Sequence, residues 1–161
     1  MLDPMSTVGS GTFAPDVFPV KGQPERMGRD WAPVLKELPL FEGISSRHLR
    51  RIPARAKRYG SGETIVRAGD PGNAFYVVLD GTVRVDPPHG ASVMLNAGDS
   101  FGEMSLLDGA PRSADITAAG EVTLMVIGRA AFAKLLRSEP QMAAALLRTL
   151  AGRLRAAQEQ F

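Results

Sequence analysis

Between residues 63 and 127 the chain is cut into six short runs rich in β-branched and aromatic residues: 63–66, 74–79, 82–85, 91–95, 115–117 and 122–127. Between them lie Gly69-Asp70-Pro71-Gly72, Asp80-Gly81, Asp86-Pro87-Pro88-His89-Gly90, Gly98-Asp99 and Gly120, and Gly60-Ser61-Gly62 precedes the first. Such segments favour turns because glycine reaches positive φ and proline fixes its own φ while donating no hydrogen bond. Many short strands at close, regular spacing predict a mainly β chain, an antiparallel jelly-roll β-barrel.

Helical periodicity brackets the barrel. Trp31, Val34, Leu35 and Leu38 recur at i, i+3, i+4 and i+7, with Asp30 as a candidate N-cap. Ser45 or Ser46 is placed to cap a second short helix running through Leu49 and Ile52 to Pro53. After the last strand, residues 129–137 read as one helix. Pro140 then opens another, at a position where its missing N–H costs nothing. Met142, Leu146, Leu150 and Leu154 recur every fourth residue and give that helix an apolar stripe to about Gln158. Eleven of the first 24 residues are Gly, Pro, Ser or Thr. The expected organisation is a flexible arm over 1–29 and one domain over 30–161. That domain has a helical lead-in (30–53), a barrel (54–127) and C-terminal helices (129–158).

Composition removes several classes of chemistry. There is no cysteine, so disulfides, thiolate metal sites and cysteine nucleophiles are excluded. The two histidines, His48 and His89, are too few for a His-rich metal centre, and no metal is expected. The net charge of +2 does not call for a nucleic-acid or membrane partner. The first ten residues lack the basic and apolar regions of a secretory leader. No uncharged stretch approaches the ~20 apolar residues that span a bilayer. The expected location is the cytoplasm. Residues 68–121 carry eight acidic side chains against only Arg84 and Arg112, so an arginine inside the barrel segment needs a reason. The basic run Arg47, Arg50, Arg51, Arg55, Lys57 and Arg58 reads as a solvated helix face.

Two catalytic patterns fail on context. Gly98-Asp99-Ser100-Phe101-Gly102 spells a nucleophile elbow, but no histidine follows it in the chain. Gly9-Ser10-Gly11-Thr12-Phe13-Ala14 matches a dinucleotide fingerprint by letters, without the strand before it or the helix after it. The informative segment runs from Phe101 to Ile116. Residues 103–107 can form one helical turn, whose free N–H groups suit an anion. Nine residues after Glu103 comes Arg112, stiffened by Pro111 and followed by Ser113. Arginine pairs bidentately with phosphate, and a carboxylate accepts from sugar hydroxyls. Together they describe a pocket for a sugar phosphate.

This segment resembles the phosphate-binding cassette of the cyclic nucleotide-binding domain family, roughly F-G-E-x-A-L-L…P-R-[AST]-A. The likeness extends to residues 59–66, Gly69-Asp70, residues 75–83 and Leu38-Pro39-Leu40-Phe41, covering about 31–158. Ion-channel and kinase regulatory subunits share this domain. The resemblance implies that Glu103 binds the ribose 2′-hydroxyl and Arg112 the cyclic phosphate. Phe101, Gly102, Met104 and Ser105 would line the pocket, and Ser113 would add a hydroxyl near phosphate and base. Ser105 departs from the pattern, which usually has alanine there. The expected ligand is a 3′,5′-cyclic nucleotide, cyclic AMP ahead of cyclic GMP. The chain would be no enzyme but a sensor, coupling occupancy to movement of its C-terminal helices and so to a downstream protein. Few residues follow the last helix, so no nucleic-acid partner is expected. The alternatives are the sensor fragment of a DNA-binding regulator and a nucleotide-independent interaction scaffold. In the second, Glu103 and Arg112 would merely pair with each other.

Overall fold

The computed structural model describes residues 32–159. The arm expected over 1–29 lies outside the described residues, as do Asp30 and Trp31 of the leading helix. The chain opens with α1 (Ala32–Lys36), a 3-10 turn (Pro39–Phe41) and α2 (Ser46–Leu49). Strands β1 (Ala54–Tyr59), β2 (Thr64–Val66), β3 (Ala74–Asp80), β4 (Thr82–Asp86), β5 (Val93–Asn96) and β6 (Ser100–Phe101) follow. Next come α3 (Glu103–Asp108), β7 (Asp115–Ala118) and β8 (Val122–Gly128). Two helices close the chain, α4 (Arg129–Ser138) and α5 (Pro140–Gln158).

The strands form two antiparallel sheets, ordered β1-β8-β3-β6 and β2-β7-β4-β5. The predicted β class and flanking helices are present. The eight strands pair as two four-stranded sheets, without a ladder closing them into a continuous barrel.

Strands β3 and β8 form the wall shared by two cores. Each is buried over six consecutive residues, unlike β4, where Val83 is buried and Arg84 exposed. Alternate residues serve two cores. Phe75, Val77 and Leu79 of β3, with Met125 and Ile127 of β8, meet Val34, Leu35, Phe41, Leu49, Phe132, Met142 and Leu146 of the helices. Tyr76, Val78, Leu124 and Val126 point the other way, against Val83, Leu95, Phe101 and Ile116. A strand covered on both faces carries a continuous apolar run, because each face needs its own set of side chains. Phe75 stacks on Phe132 of α4, ring centroids 4.6 Å apart.

Strand β1 was not among the six expected runs, although the barrel boundary at 54 allowed for it. Arg55, Lys57 and Arg58 of the basic run lie on β1, not on a helix. Strand β6 has only two residues, held on β3 by the pairs Tyr76↔Phe101 and Val77↔Ser100. The Ser45 hydroxyl caps α2 by accepting from His48 N at 3.3 Å. His48 Nδ1 lies 2.8 Å from Oε1 of the buried Glu139, joining the leading helices to the α4–α5 junction. The stripe of α5 divides along its length: Met142 and Leu146 are buried, while Leu154 is 59% exposed. No helix of the described residues is long and apolar enough to cross a membrane.

If the helices are fixed through β3, Phe132→Ala should destabilise the chain by about 3–5 kcal/mol, the usual cost of emptying a core phenylalanine site. Arg58→Ala, on the exposed face of β1, should change stability by less than about 0.5 kcal/mol. Urea unfolding followed by circular dichroism measures both. A Phe132→Ala loss below about 1 kcal/mol would show that the helical core contributes little to stability.

Candidate ligand-binding site

Sheet geometry places the two charged residues singled out in the sequence. Pairing of β6 with β3 sets the start of α3, so Glu103 begins that helix directly against the inter-sheet core. Arg112 arrives from the other sheet, on the loop leading into β7. Its backbone is bonded twice to the β2–β3 loop, donating to Asp70 O at 2.8 Å and accepting from Gly69 N at 2.9 Å. Its side chain then crosses to β3, where Nη2 donates to Ala74 O and Nη1 to Gly102 O, both at 2.8 Å. The Arg112 guanidinium also lies over the Tyr76 ring at 5.9 Å, and Tyr76 stacks on Phe101 at 4.9 Å.

Gly102 makes this approach possible. Its φ of +93° suits glycine, and a Cβ there would lie 2.9 Å from both Ala74 O and Arg112 Nη1. Gly72 is constrained by contact alone. A Cβ on it would meet Ser105 Cβ at 2.2 Å and Arg112 Cζ at 3.3 Å.

The two charges do not neutralise each other. Arg112 is 7% exposed, and burial draws its pKa down from the ordinary arginine value, with the nearby Tyr76 and Glu103 opposing that shift. It spends two of its five N–H donors on carbonyls. Glu103, only 2% exposed, receives Arg153 Nη1 of α5 on Oε1 at 2.7 Å, and Arg153 Nη2 donates to Ser100 O at 2.5 Å. Glu103 Oε2 has no partner. It and Asn96 Nδ2 are the buried side-chain polar atoms left unsatisfied among the described residues. An unsatisfied buried carboxylate oxygen costs free energy unless something donates to it.

Both groups border one cavity of about 460 Å³, within the range of small-molecule pockets. Phe101, Gly102, Glu103, Met104, Ser105, Arg112 and Ser113, the seven residues singled out in the sequence, all line it. Its apolar wall comes from Val66, Val85, Val93, Leu95 and Ile116. The cavity therefore joins a polar end, with donors from Arg112 and an acceptor from Glu103, to an apolar end, which suits an anionic sugar bearing a flat apolar group.

Three lining residues of α5, Arg153, Ala156 and Ala157, were not foreseen, nor was His89 of the β4–β5 hairpin. The hairpin is stiffened at its base: Arg84 Nε donates to Asp86 Oδ2 at 2.9 Å, and the Ser92 hydroxyl donates to Asp86 Oδ1. The regular leucine stripe of α5 does not form the wall. Arg153 and Ala157 follow Leu146 and Leu150 by seven residues, so the wall continues the face that Met142 and Leu146 bury, near the C-terminal end of the helix.

Known proteins are similar to this chain in sequence and in fold. A family profile described as the cyclic nucleotide-binding domain matches residues 56–139. A cyclic nucleotide-gated potassium channel of Mesorhizobium japonicum is 37% identical over 117 residues, 71% of this chain and 32% of the channel. A cAMP-dependent protein kinase regulatory subunit of Colletotrichum orbiculare is 34% identical over 106 residues, 63% of this chain and 27% of that protein. The chain thus spans less than a third of the length of either relative. Among solved structures, the Thermus thermophilus catabolite activator protein superposes with a TM-score of 0.67 at 35% identity, over 76% of this chain and 61% of that one. The regulatory domain of Toxoplasma gondii PKA, co-crystallised with cAMP, also gives 0.67, at 26% identity over 76% and 48%. The profile covers more than half of the sequence and includes both ends of the cassette, so the chain belongs to the cyclic nucleotide-binding domain family.

Proposed function

We propose that this chain binds a 3′,5′-cyclic purine nucleotide, cyclic AMP ahead of cyclic GMP, as a non-catalytic regulatory unit whose occupancy is read by α5. One observation carries the reading. Glu103, with one carboxylate oxygen lacking a partner, and Arg112, with three N–H donors to spare, line the same cavity. Glu103 Oε2 would accept from the ribose 2′-hydroxyl and Arg112 would donate to the cyclic phosphate. Gly102 and Ser105 would border the phosphate, Met104 and Ser113 the sugar and base. A structural relative holding cAMP and a curated relative named for cAMP support the adenine form. Ser113 is compatible with either base.

Coupling to α5 rests on Arg153. Its ion pair fixes one oxygen of Glu103 and leaves the other to the sugar, so sugar binding and the position of α5 share one carboxylate. A ligand shifts a conformational equilibrium only when it binds one form better. The wall formed by Arg153, Ala156 and Ala157 supplies that difference.

Calorimetric titration with cyclic AMP should show saturable heat, and binding should raise the melting temperature. Neither effect at millimolar nucleotide would overturn the reading. Arg112→Ala should cost about 2–5 kcal/mol of binding free energy, since it removes a buried charge-assisted contact. Glu103→Ala should cost less, because it loses a bond to a neutral hydroxyl. Preference between the two bases should stay within about tenfold, or ~1.4 kcal/mol, since one exposed serine hydroxyl is all that Ser113 offers.

Arg153→Ala should weaken cyclic AMP about three- to tenfold, as expected for a partly exposed ion pair anchored on a buried partner. Hydrogen exchange should show residues 140–158 better protected with nucleotide, and less so in that variant. Unchanged protection together with unchanged affinity would assign α5 to a partner interface instead.

A further inference from the structure

Ser105 occupies the second turn-facing position of α3, two residues beyond Glu103, and is only 4% exposed. Its carbonyl accepts from Gly109 N at 3.0 Å, closing the helix. Its hydroxyl makes no hydrogen bond to a described residue, yet it is not among the atoms sealed from solvent. A buried serine usually bonds to nearby backbone, so an unspent hydroxyl on a cavity wall is available to a ligand. It lies close to Arg112 across Gly72: the point where a Gly72 Cβ would stand is 3.0 Å from Ser105 Oγ and 3.3 Å from Arg112 Cζ. Hydroxyl and guanidinium therefore flank one glycine, and both residues line the same cavity.

Resting on the cyclic nucleotide reading above, we propose that Ser105 is a specificity-determining residue: its hydroxyl donates to one exocyclic oxygen of the phosphate that Arg112 neutralises. The two exocyclic oxygens are then inequivalent to the protein. Only one of them meets this hydroxyl. Alanine at this position would leave a weaker grip on that oxygen.

The test compares the intact chain with Ser105→Ala by titration calorimetry, using cyclic AMP and the two diastereomers of its cyclic phosphorothioate. Sulfur accepts hydrogen bonds weakly, so each diastereomer weakens the contact at one exocyclic oxygen. Ser105→Ala should weaken cyclic AMP about three- to tenfold, the usual worth of one hydrogen bond. It should also change the affinity ratio of the two diastereomers by a similar factor. The form whose sulfur faces residue 105 has no bond there left to lose. Ser105→Cys, close in size but a weak donor, should behave like the alanine variant. Equal losses for all three ligands would reduce Ser105 to packing against Gly72, and no loss would overturn the proposal outright. If the wild-type chain binds none of the three, the nucleotide reading itself falls; if it binds them and Ser105→Ala matches it, only the serine assignment does.

Discussion

Burial of β3 and β8 on both faces is the constraint from which the rest of the molecule is built. Most sheets in antiparallel proteins can leave one face wet, but here that strand pair is the shared wall of two cores. One side receives the leading helices and the C-terminal pair. The other receives the second sheet and, at its open end, the cavity. Phe75 and Tyr76 are neighbours in sequence, yet Phe75 stacks on α4 while Tyr76 lies beneath the Arg112 guanidinium. A single strand thus touches both the cavity-lining arginine and the helices. Displacing it would disturb both cores at once, which favours movement of the peripheral pieces over movement of the wall.

Placing an arginine and a glutamate in such a setting is costly unless each is compensated. Arg112 is compensated by backbone: two carbonyls from different segments accept from it, which fixes its position without quenching its charge. Glu103 is compensated by a side chain from a distant helix, and only on one oxygen. Had the two paired with each other, as a ligand-free scaffold would permit, both would be satisfied and the cavity would have lost its polar end. Arg112 reaches instead to Ala74 O and Gly102 O, and Glu103 to Arg153. The capacity left over is three N–H donors on one side and one carboxylate oxygen on the other. That remainder matches the chemistry of a sugar phosphate.

Much of this was legible in the sequence because the signals were local. Six strands announced themselves by β-branched runs between glycine turns, and the cassette by a glutamate and an arginine nine residues apart. What was missed lacked a local signal. In β1 the residues packed against the helical core are Ala54 and Ala56, too small to stand out among Arg55, Lys57 and Arg58. Strand β6 is two residues long and exists through its pairing with β3. Arg153 is one of several arginines on α4 and α5, and its partner lies 50 residues away. Periodicity located the helix but not its burial: of the stripe, Met142 and Leu146 are buried and Leu150 packs against the core, whereas Leu154 is exposed. Hydrophobic spacing reports which face of a helix is apolar. It cannot report how far along the helix the core extends.

That division of α5 bears on how it could respond to a ligand. Its first half is anchored by Met142 and Leu146 in the helical core, whereas residues 151–159 are exposed. Gly152 lies just before Arg153 and weakens the helix there by roughly 0.5–1 kcal/mol relative to alanine. The outer half is tied down through Arg153, whose side chain is 38% exposed while its partner is almost fully buried. An exposed pair contributes little; a buried carboxylate makes this one stronger, without approaching the hold of a packed core. The wall of the cavity is therefore attached by a bond of intermediate strength, to a group that still has one acceptor to give. A donor arriving at Oε2 would complete the hydrogen bonding of Glu103 and fix the carboxylate that Arg153 grips. Ligand and helix would then stabilise each other through a single side chain, without any rearrangement of the strands beneath it.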